Sequence, residues 1–275
     1  MKKLLSTILS IMLILFLILI YSRFVGTIGL ETNEISIKSN LSDNFNGLKI
    51  IQFSDLHYKK VITEKRVKEL IKEINNNKPD LVFFTGDLLD KDYKLKNKDI
   101  IFLISQLKKI NATYGVYSIM GDSDYSNEEI LKNIYLQSNI ILLNNKSIYI
   151  YNEFNNKIIL QGFGSYLKDF DLNKTITSLN EDETTYKIAL VHEPDAIVDI
   201  LKQNSPPSLV LAGHSINGSI NIPVIKNIFL PNGAKRFKIN KQTKNIYISN
   251  GVGVNNINFR LFNTPSINLY RFNNS

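Results

Sequence analysis

The sequence of 275 residues has no cysteine and only three histidines. The lack of cysteine excludes disulfide bonds, cysteine-ligated zinc sites and thiol nucleophiles. A Gly/Ser linker, an internal repeat and a second long apolar run are also absent, which favours a single folded domain. Hydrophobic residues make up 44% of the chain and charged residues 21%, a balance typical of globular proteins.

The formal net charge of +8 is compatible with an acidic partner such as phosphate, anionic lipid or nucleic acid. Basic residues are spread along the chain without a long block, so the charge alone does not indicate a binding site. We expect no nucleic-acid partner, because no motif of a nucleic-acid-binding fold is present. Lys235, Arg236 and Lys238 form either a surface that steers phosphate or an ordinary solvated face.

The N-terminus is an apolar segment that follows Lys2 and Lys3. Residues 4–21 are uncharged, and as a helix they would span about 27 Å, close to the hydrocarbon thickness of a bilayer. We predict a transmembrane anchor over residues 1–24, with a cleaved signal peptide as the alternative. The two lysines predict a cytoplasmic N-terminus, so that the domain lies on the outer face of the cell membrane, in the cell envelope.

Beyond the anchor, short apolar runs alternate with helical patterns. LKIIQFSD and DLVFFTGD are typical of buried strands, and the segment between them places Val67, Leu70 and Ile74 at helical spacing. Ser126 and Glu129 have the spacing of a capping box, which predicts a helix start there. The alternation predicts an α/β domain over residues 46–275, with residues 25–45 as a connector and first strand.

Five of the apolar strands end in Asp or His: IIQFSDLH, LVFFTGDLLD, YSIMGDSD, IALVHEPD and LVLAGHS. Ligands of α/β proteins gather at the carboxyl ends of strands, so these ends predict one shared crevice that contains every histidine. One such residue alone usually serves as a turn or a helix cap, but five in succession indicate a site. Asp and His suit Mn, Fe or Zn, which predicts one or two divalent metal ions.

The order D-x-H, G-D, G-D-S-D, H and G-H resembles the motifs of the calcineurin-like metallophosphoesterases, especially their bacterial membrane-anchored branch. The resemblance runs from about residue 48 to the C-terminus. It implies a four-layer α/β/β/α sandwich of two mixed β-sheets flanked by helices. It also implies two metal ions that share one aspartate and act on a phosphate ester. The implied metal ligands are Asp55 and His57 for the first ion, Asp87 as the bridge, and Asp122, His192 and His214 for the second.

The third and fifth motifs depart from the family pattern. Ser123 stands where the family has a histidine that assists the leaving group, and Asp124 would therefore have no histidine to orient. Asp122 replaces a metal-binding asparagine, and Ile216 replaces a histidine ligand of the first metal. Because losing a general acid typically costs ~10²–10⁴ in rate, Ser123 and Asp124 are degenerate catalytic positions.

The resemblance thus implies a metal-dependent phosphoester hydrolase, a phosphomonoesterase or phosphodiesterase, that is attenuated or restricted to good leaving groups. Its substrate is expected to be a phosphate ester, and the anchor hints at one linked to lipid or cell wall. The alternative is a non-catalytic domain of the same fold that binds a metal and an anionic ligand.

Overall fold

The computed structural model of the protein describes residues 2–39, 41, 45–59, 61–91, 93–179, 185–214, 220, 222, 230–238, 245–254 and 258–274. The strands are β1 (Glu31–Ser39), β2 (Lys49–Phe53), β3 (Leu81–Thr85), β4 (Val116–Ile119), β5 (Ile140–Leu142), β6 (Lys146–Tyr151), β7 (Lys157–Gly162), β8 (Lys187–Val191), β9 (Leu209–Ala212), β10 (Ile246–Ile248) and β11 (Ser266–Asn274). The α-helices are α1 (Lys2–Ile20), α2 (Glu64–Asn76), α3 (Asn97–Leu107), α4 (Glu128–Gln137), α5 (Leu172–Thr177) and α6 (Ile197–Ile200).

The strands form two stacked mixed sheets. The six-stranded sheet has the order β1-β11-β2-β3-β4-β5, and the five-stranded sheet has the order β10-β9-β8-β7-β6. Most neighbours are parallel, whereas β11 with β2 and β6 with β7 are antiparallel. The predicted sandwich of two mixed sheets flanked by helices is confirmed.

Alternation along the strands explains why both faces of each sheet are buried. Ile50 and Phe83 point into the core between the two sheets, whereas Ile51 and Phe84 point into the core beneath α2, α3 and α4. This follows because successive residues of a strand face opposite sides of its sheet. A third core covers the outer face of the five-stranded sheet and includes Ile197 from α6. Strands that are buried on both faces have nearly continuous apolar sequences, and the strands of this chain show this pattern.

The helices start and end largely where the sequence indicates. The side chain of Thr63 caps α2 by accepting the N–H of Arg66, and the predicted apolar residues of this helix are buried. The predicted capping box at Ser126 and Glu129 is wrong. Residues Asp124–Asn127 form a 3-10 turn instead, and α4 begins only at Glu128, without a side-chain cap. Asp124 instead accepts backbone N–H groups of Gly121 and of the turn after β3, as described below.

The N-terminal region carries an exposed apolar helix that runs directly into the domain. Among the described residues, the segment Lys2–Val25 is the one helix that is long and apolar enough to cross a membrane. None of the residues in its most apolar part is buried inside the protein. A π-helical turn, Tyr21–Val25, ends it. Strand β1 follows after a few residues and pairs in parallel with β11 along its whole length, so residues 31–39 are part of the six-stranded sheet.

Candidate metal centre

The six predicted ligands lie at the carboxyl ends of neighbouring strands. Asp55 and His57 follow β2, Asp87 follows β3, and Asp122 follows β4. His192 and His214 follow β8 and β9 of the other sheet. Because β2, β3 and β4 are adjacent and parallel, as are β8 and β9, their ends form one crevice between the two sheets.

Four of these residues have a left-handed backbone, which non-glycine residues rarely adopt. Their φ angles are 53° at Asp55, 43° at His57, 61° at Asp87 and 61° at His214. Such a conformation costs roughly 1–3 kcal/mol per residue and persists only where the surrounding structure holds it. The crevice is therefore built at a cost in stability, which is typical of functional sites rather than of simple turns.

The ligand atoms form two groups that share Asp87. Asp55, His57 and Asp87 form the first group, and within each group all ligand atoms lie within 4.8 Å of one another. The second group contains Asp87, Asp122, His192 and His214.

Individual distances in both groups match those of atoms around one ion. His57 Nε2 is 3.5 Å from Asp87 Oδ2, and His192 Nε2 is 3.3 Å from the same oxygen. His214 Nδ1 is 3.2 Å from Asp122 Oδ1. Two ligand atoms that each bind one ion at ~2.1 Å lie roughly 3–3.5 Å apart. The spacing thus suits a cation in each group.

Backbone carbonyls orient two of the histidines. His192 Nδ1 is 2.7 Å from the Thr85 carbonyl oxygen, and His214 Nε2 is 2.6 Å from the Asn232 carbonyl oxygen. A carbonyl can only accept, so each of these nitrogens donates its proton there. When such a histidine is neutral, its opposite nitrogen is unprotonated and can bind a cation beside the carboxylates, which is the arrangement usual for metal-binding histidines.

The first group contains buried polar atoms that hydrogen-bond to none of the described residues. They are Asp55 Oδ1 and both ring nitrogens of His57. The other oxygen of Asp55 accepts the N–H of His214 at 3.1 Å. Buried polar groups are normally paired, because an unpaired one costs about 1–3 kcal/mol. A cation bound by Asp55 Oδ1 and His57 Nε2 would satisfy two of these three atoms.

The charge balance of the second group also favours a cation. Burial alone lowers the pKa of a histidine, but Asp87 and Asp122 outweigh it and raise the pKa of His192 well above its ordinary value. The pKa of His214 is raised as well, because Asp122 outweighs the effect of burial. Conversely, these two histidines lower the pKa of Asp122 despite its burial. The carboxylates thus attract positive charge into the crevice.

Comparison with known proteins agrees with this geometry. The family model described as "Calcineurin-like phosphoesterase" matches residues 48–218, well over half of the chain. The chain belongs to this family. The matched span contains all six ligand positions and the two strand ends of the five-stranded sheet that complete the crevice.

Similar proteins include two bacterial relatives and one solved structure. YkuE, an uncharacterised metallophosphoesterase of Bacillus subtilis, is 29% identical over 257 residues, covering 91% of this chain and 88% of the relative. LpxG of Chlamydia muridarum, a UDP-2,3-diacylglucosamine pyrophosphatase, is 25% identical over 236 residues, covering 66% and 67%. The sulfate thiohydrolase SoxB of Thermus thermophilus has a TM-score of 0.50 at 9% identity, covering 85% of this chain and 58% of SoxB, and shows the shared fold alone.

Ser123, which the resemblance places at a histidine position of the family, contacts the shared residue Asp87. Its backbone N–H donates to Asp87 Oδ1 at 3.0 Å, and its hydroxyl donates to Asp87 Oδ2 at 3.1 Å. The side chain is buried against the ligand shared by both groups. The Ser123 side chain therefore binds the carboxylate that both groups share.

The Asp124 side chain is bound by backbone N–H groups. Its carboxylate accepts four backbone N–H groups, those of Asp87, Leu88, Leu89 and Gly121. Burial and the charge of Asp87 raise the pKa of Asp124 to about 7, against the effect of these donors. A Cβ at Gly121 would lie 2.2 Å from Asp87 Oδ1, so only glycine fits where the two strand ends meet.

Two residues that support the crevice could not be identified from the sequence pattern. The Asn232 carbonyl reaches His214 from a distant loop. The fully buried Arg260 donates to the carbonyls of Asn250, Gly251 and Gly253. Gly253 in turn donates its N–H to the Asp55 carbonyl at 2.7 Å. Neither Asn232 nor Arg260 lies at a strand end, so position along the chain did not reveal them.

The remaining predictions concern residue 216 and the basic loop. Ile216, which occupies a family histidine position, lies outside the described residues. Arg236 lies over the ring of Tyr166 and pairs with Asp199 at 3.6 Å, and Lys235 donates to its neighbour Asn232. These contacts favour the interpretation of the loop as an ordinary solvated face.

Proposed function

We propose that the chain is a metal-dependent phosphoester hydrolase held at the outer face of the membrane by its N-terminal helix. The observation that carries this proposal is the position of Asp87, whose carboxylate belongs to both ligand groups. A shared carboxylate suits a pair of ions at the distance at which both can contact one phosphate group. Asp55 and His57 would complete the first ion site, and Asp122, His192 and His214 the second.

The protein's own contribution is to fix these ligands in advance. When bound, divalent cations would neutralise charge on the phosphate and make a water molecule a better nucleophile. The left-handed turns, the carbonyl partners of the histidines and the Asp124 carboxylate hold the ligands in place. Asp122 is the ligand with a partly exposed side chain, at 25%, which puts it at the open side of the site.

Substrates with good leaving groups fit this crevice best. Among the described residues, no histidine other than the three candidate ligands is available to protonate a leaving oxygen. A serine cannot supply that proton near neutral pH. We therefore expect the protein to hydrolyse aryl phosphates, nucleoside diphosphate linkages or other esters whose leaving group is already stable as an anion. The similarity to LpxG and the N-terminal helix support a lipid-linked substrate of this kind.

Hydrolysis by the full-length protein in detergent tests the proposal. The assay uses bis-p-nitrophenyl phosphate, p-nitrophenyl phosphate and a nucleoside diphosphate sugar, each with added Mn²⁺, Fe²⁺ or Zn²⁺. Asp87→Ala removes the shared ligand and should abolish turnover. Asp171→Asn, at the cap of α5 and outside the crevice, is the matched control and should keep it. Equal rates for wild type and Asp87→Ala would reject a metal-dependent hydrolase.

A second candidate is a non-catalytic domain that binds a metal and an anionic ligand. The contact of Ser123 with Asp87 favours it, because this side chain serves the metal ligand instead of a leaving group. Tight metal binding that depends on Asp87, together with no turnover of any of the three substrates, would support this candidate over the enzyme.

A further inference from the structure

The loop around Arg260 packs against the segment that leaves the N-terminal helix. The Arg260 N–H donates to the Ser22 carbonyl at 3.0 Å, and the Glu31 N–H donates to the Pro265 carbonyl at 2.9 Å. A Cβ at Gly26 would lie 2.0 Å from the Arg260 carbonyl oxygen, so the two backbones approach as closely as glycine allows. The loop and residues 22–31 therefore run side by side.

A second arginine fixes the same segment from the other side. Arg66 of α2 donates to the Thr27 carbonyl at 2.8 Å and to the Gly29 carbonyl at 3.1 Å. Ser22 and Thr27 are buried even though the helix before them is fully exposed. The helix thus enters the domain as a fixed extension of it, without a flexible tether.

Large apolar side chains remain exposed along this junction. Phe24 is 61% exposed, Ile28 65% and Phe262 71%. Phe262 lies two residues beyond Arg260, and its φ of 55° is a conformation that bulky residues rarely adopt. The Phe262 ring is therefore exposed to solvent and belongs to a residue with a strained backbone, beside the end of an apolar helix. Such outliers persist at functional positions.

Side chains at the helix end have the character of a membrane interface. Tyr21 is exposed, and the guanidinium of Arg23 lies 5.3 Å from the centre of the Phe24 ring. Aromatic and basic residues are enriched at the level of lipid headgroups, where an apolar body and a polar tip are both satisfied. This places the junction, and Phe262 with it, at the boundary of the bilayer.

We propose that the loop of residues 258–263 is a second membrane contact, with Phe262 inserted into the bilayer interface next to the anchor. The inference rests on the proposed anchor. It commits to lipid as the occupant of this apolar surface because the surface continues the apolar face of the helix. Burying one phenylalanine side chain contributes favourably to binding, and insertion would compensate for the exposed ring and its strained backbone.

The same loop connects the membrane contact to the first ligand group. The Arg260 side chain holds the carbonyls of Gly251 and Gly253, and the Gly253 N–H holds the Asp55 carbonyl. Val252 likewise donates its N–H to the Ser54 carbonyl at 3.0 Å. Insertion of Phe262 thus holds the Asp55 side of the crevice close to the bilayer surface. A phosphoester carried by a membrane lipid would be presented within reach of the site.

Single tryptophans test the contact, since the sequence contains no natural tryptophan. The full-length variants Phe262→Trp, Ile28→Trp, Phe16→Trp and Phe154→Trp are reconstituted into vesicles of phosphatidylglycerol and phosphatidylcholine. Emission is then compared with that in vesicles whose phosphatidylcholine is brominated on its acyl chains. Phe16→Trp reports on the anchor helix itself. Phe154→Trp is the matched control, because Phe154 is equally exposed but lies in the turn between β6 and β7 of the other sheet.

The expected result is a blue-shifted emission that bromine quenches for Phe262→Trp and Ile28→Trp, and neither effect for Phe154→Trp. Quenching of Phe16→Trp but not of Phe262→Trp would overturn the second contact and leave the anchor intact. Absence of quenching at both positions would reject the anchor, and the inference with it. Thermal unfolding of each variant confirms that the tryptophan reports from a folded chain, with Ile28→Trp as the second probe if Phe262→Trp is unstable.

Discussion

The Asp124 carboxylate accepts the backbone N–H of Asp87 at 2.9 Å, across the gap between the ends of two neighbouring strands. With further bonds from Leu88, Leu89 and Gly121, it holds the whole turn after β3 in place. Asp87 is the ligand that both groups share. Asp124 therefore acts on the candidate site through the backbone, as a positioning residue.

Asp124→Asn should weaken this turn. An amide keeps one acceptor oxygen and turns a donor toward backbone N–H groups, so bonds are lost and a buried N–H is left unpaired. We expect a loss of about 1–3 kcal/mol in the free energy of unfolding and a lower metal content. Urea unfolding and metal analysis check both. Asp171→Asn, at an exposed helix cap where asparagine serves equally well, should change neither. A variant with unchanged stability and metal content would contradict the role given to Asp124.

Ser123→His should raise activity selectively. A histidine at this position can protonate a leaving oxygen, a contribution typically worth ~10²–10⁴ in rate. We expect a larger gain for alkyl phosphate esters, whose leaving group needs a proton, than for p-nitrophenyl esters. Rates for both substrates, with Ser123→Ala as the reference, measure this difference. Loss of all activity in Ser123→Ala, with a normal metal content, would mean that the serine hydroxyl itself takes part in the reaction.

The number of metal ions lost by a variant should depend on whether the removed ligand belongs to one group or to both. Asp87→Ala should lose ions from both groups, whereas His57→Ala should affect only the first and His192→Ala only the second. Mass spectrometry of protein grown with excess Mn²⁺ counts the ions per chain. A chelator should also lower the unfolding temperature of wild type, because a ligand at 100 times its Kd stabilises a fold by about 2.7 kcal/mol. An Asp87→Ala protein that lost only as much metal as His57→Ala would contradict a bridging role.

Asp99→Asn should reveal a pH-dependent contribution of a buried carboxylate that is not one of the candidate ligands. Burial raises the pKa of Asp99, but the Tyr93 hydroxyl at 2.8 Å and the Lys96 N–H at 3.2 Å outweigh it and lower that pKa, with help from Lys59. Because the pKa is lower in the folded state, the stabilisation is present above about pH 4 and is lost as the pH falls through the folded-state pKa.

The difference in unfolding free energy between wild type and Asp99→Asn should therefore be about 1–3 kcal/mol at neutral pH and shrink toward pH 3. Urea titrations across this range measure it. A difference that stays constant with pH would show that Asp99 contributes through packing alone.

The sequence made the sheets and the positions of the candidate ligands at the sheet edge predictable for one physical reason. Strands buried on both faces appear as apolar runs, and the first polar residues after them, such as Asp55 and Asp87, must lie at a sheet edge. The turn after β4 was not predictable in the same way. Ser126 and Glu129 have the spacing of a capping box, but residues Asp124–Asn127 form a 3-10 turn, and Asp124 accepts N–H groups from the distant turn after β3.

The contacts that loops make with the crevice could not be predicted from the sequence either. Arg260 and Asn232 act through backbone carbonyls, and any residue type has a carbonyl. Their approach to Asp55 and His214 depends on the path of loops distant in the chain, which leaves no periodic pattern. An isolated arginine is usually exposed, and only the folded arrangement shows that Arg260 is fully buried.

The parallel pairing of β1 with β11 has a consequence for how the chain folds. Glu31 pairs with Ser266, so the first strand of the six-stranded sheet pairs with a strand that is synthesised after all the others. Contacts between residues so far apart in sequence form slowly. A long loop must close, at a cost in entropy, before these contacts stabilise the fold. Until β11 is synthesised, both edges of β1 would be unpaired, and the six-stranded sheet would be complete only when β11 inserts between β1 and β2.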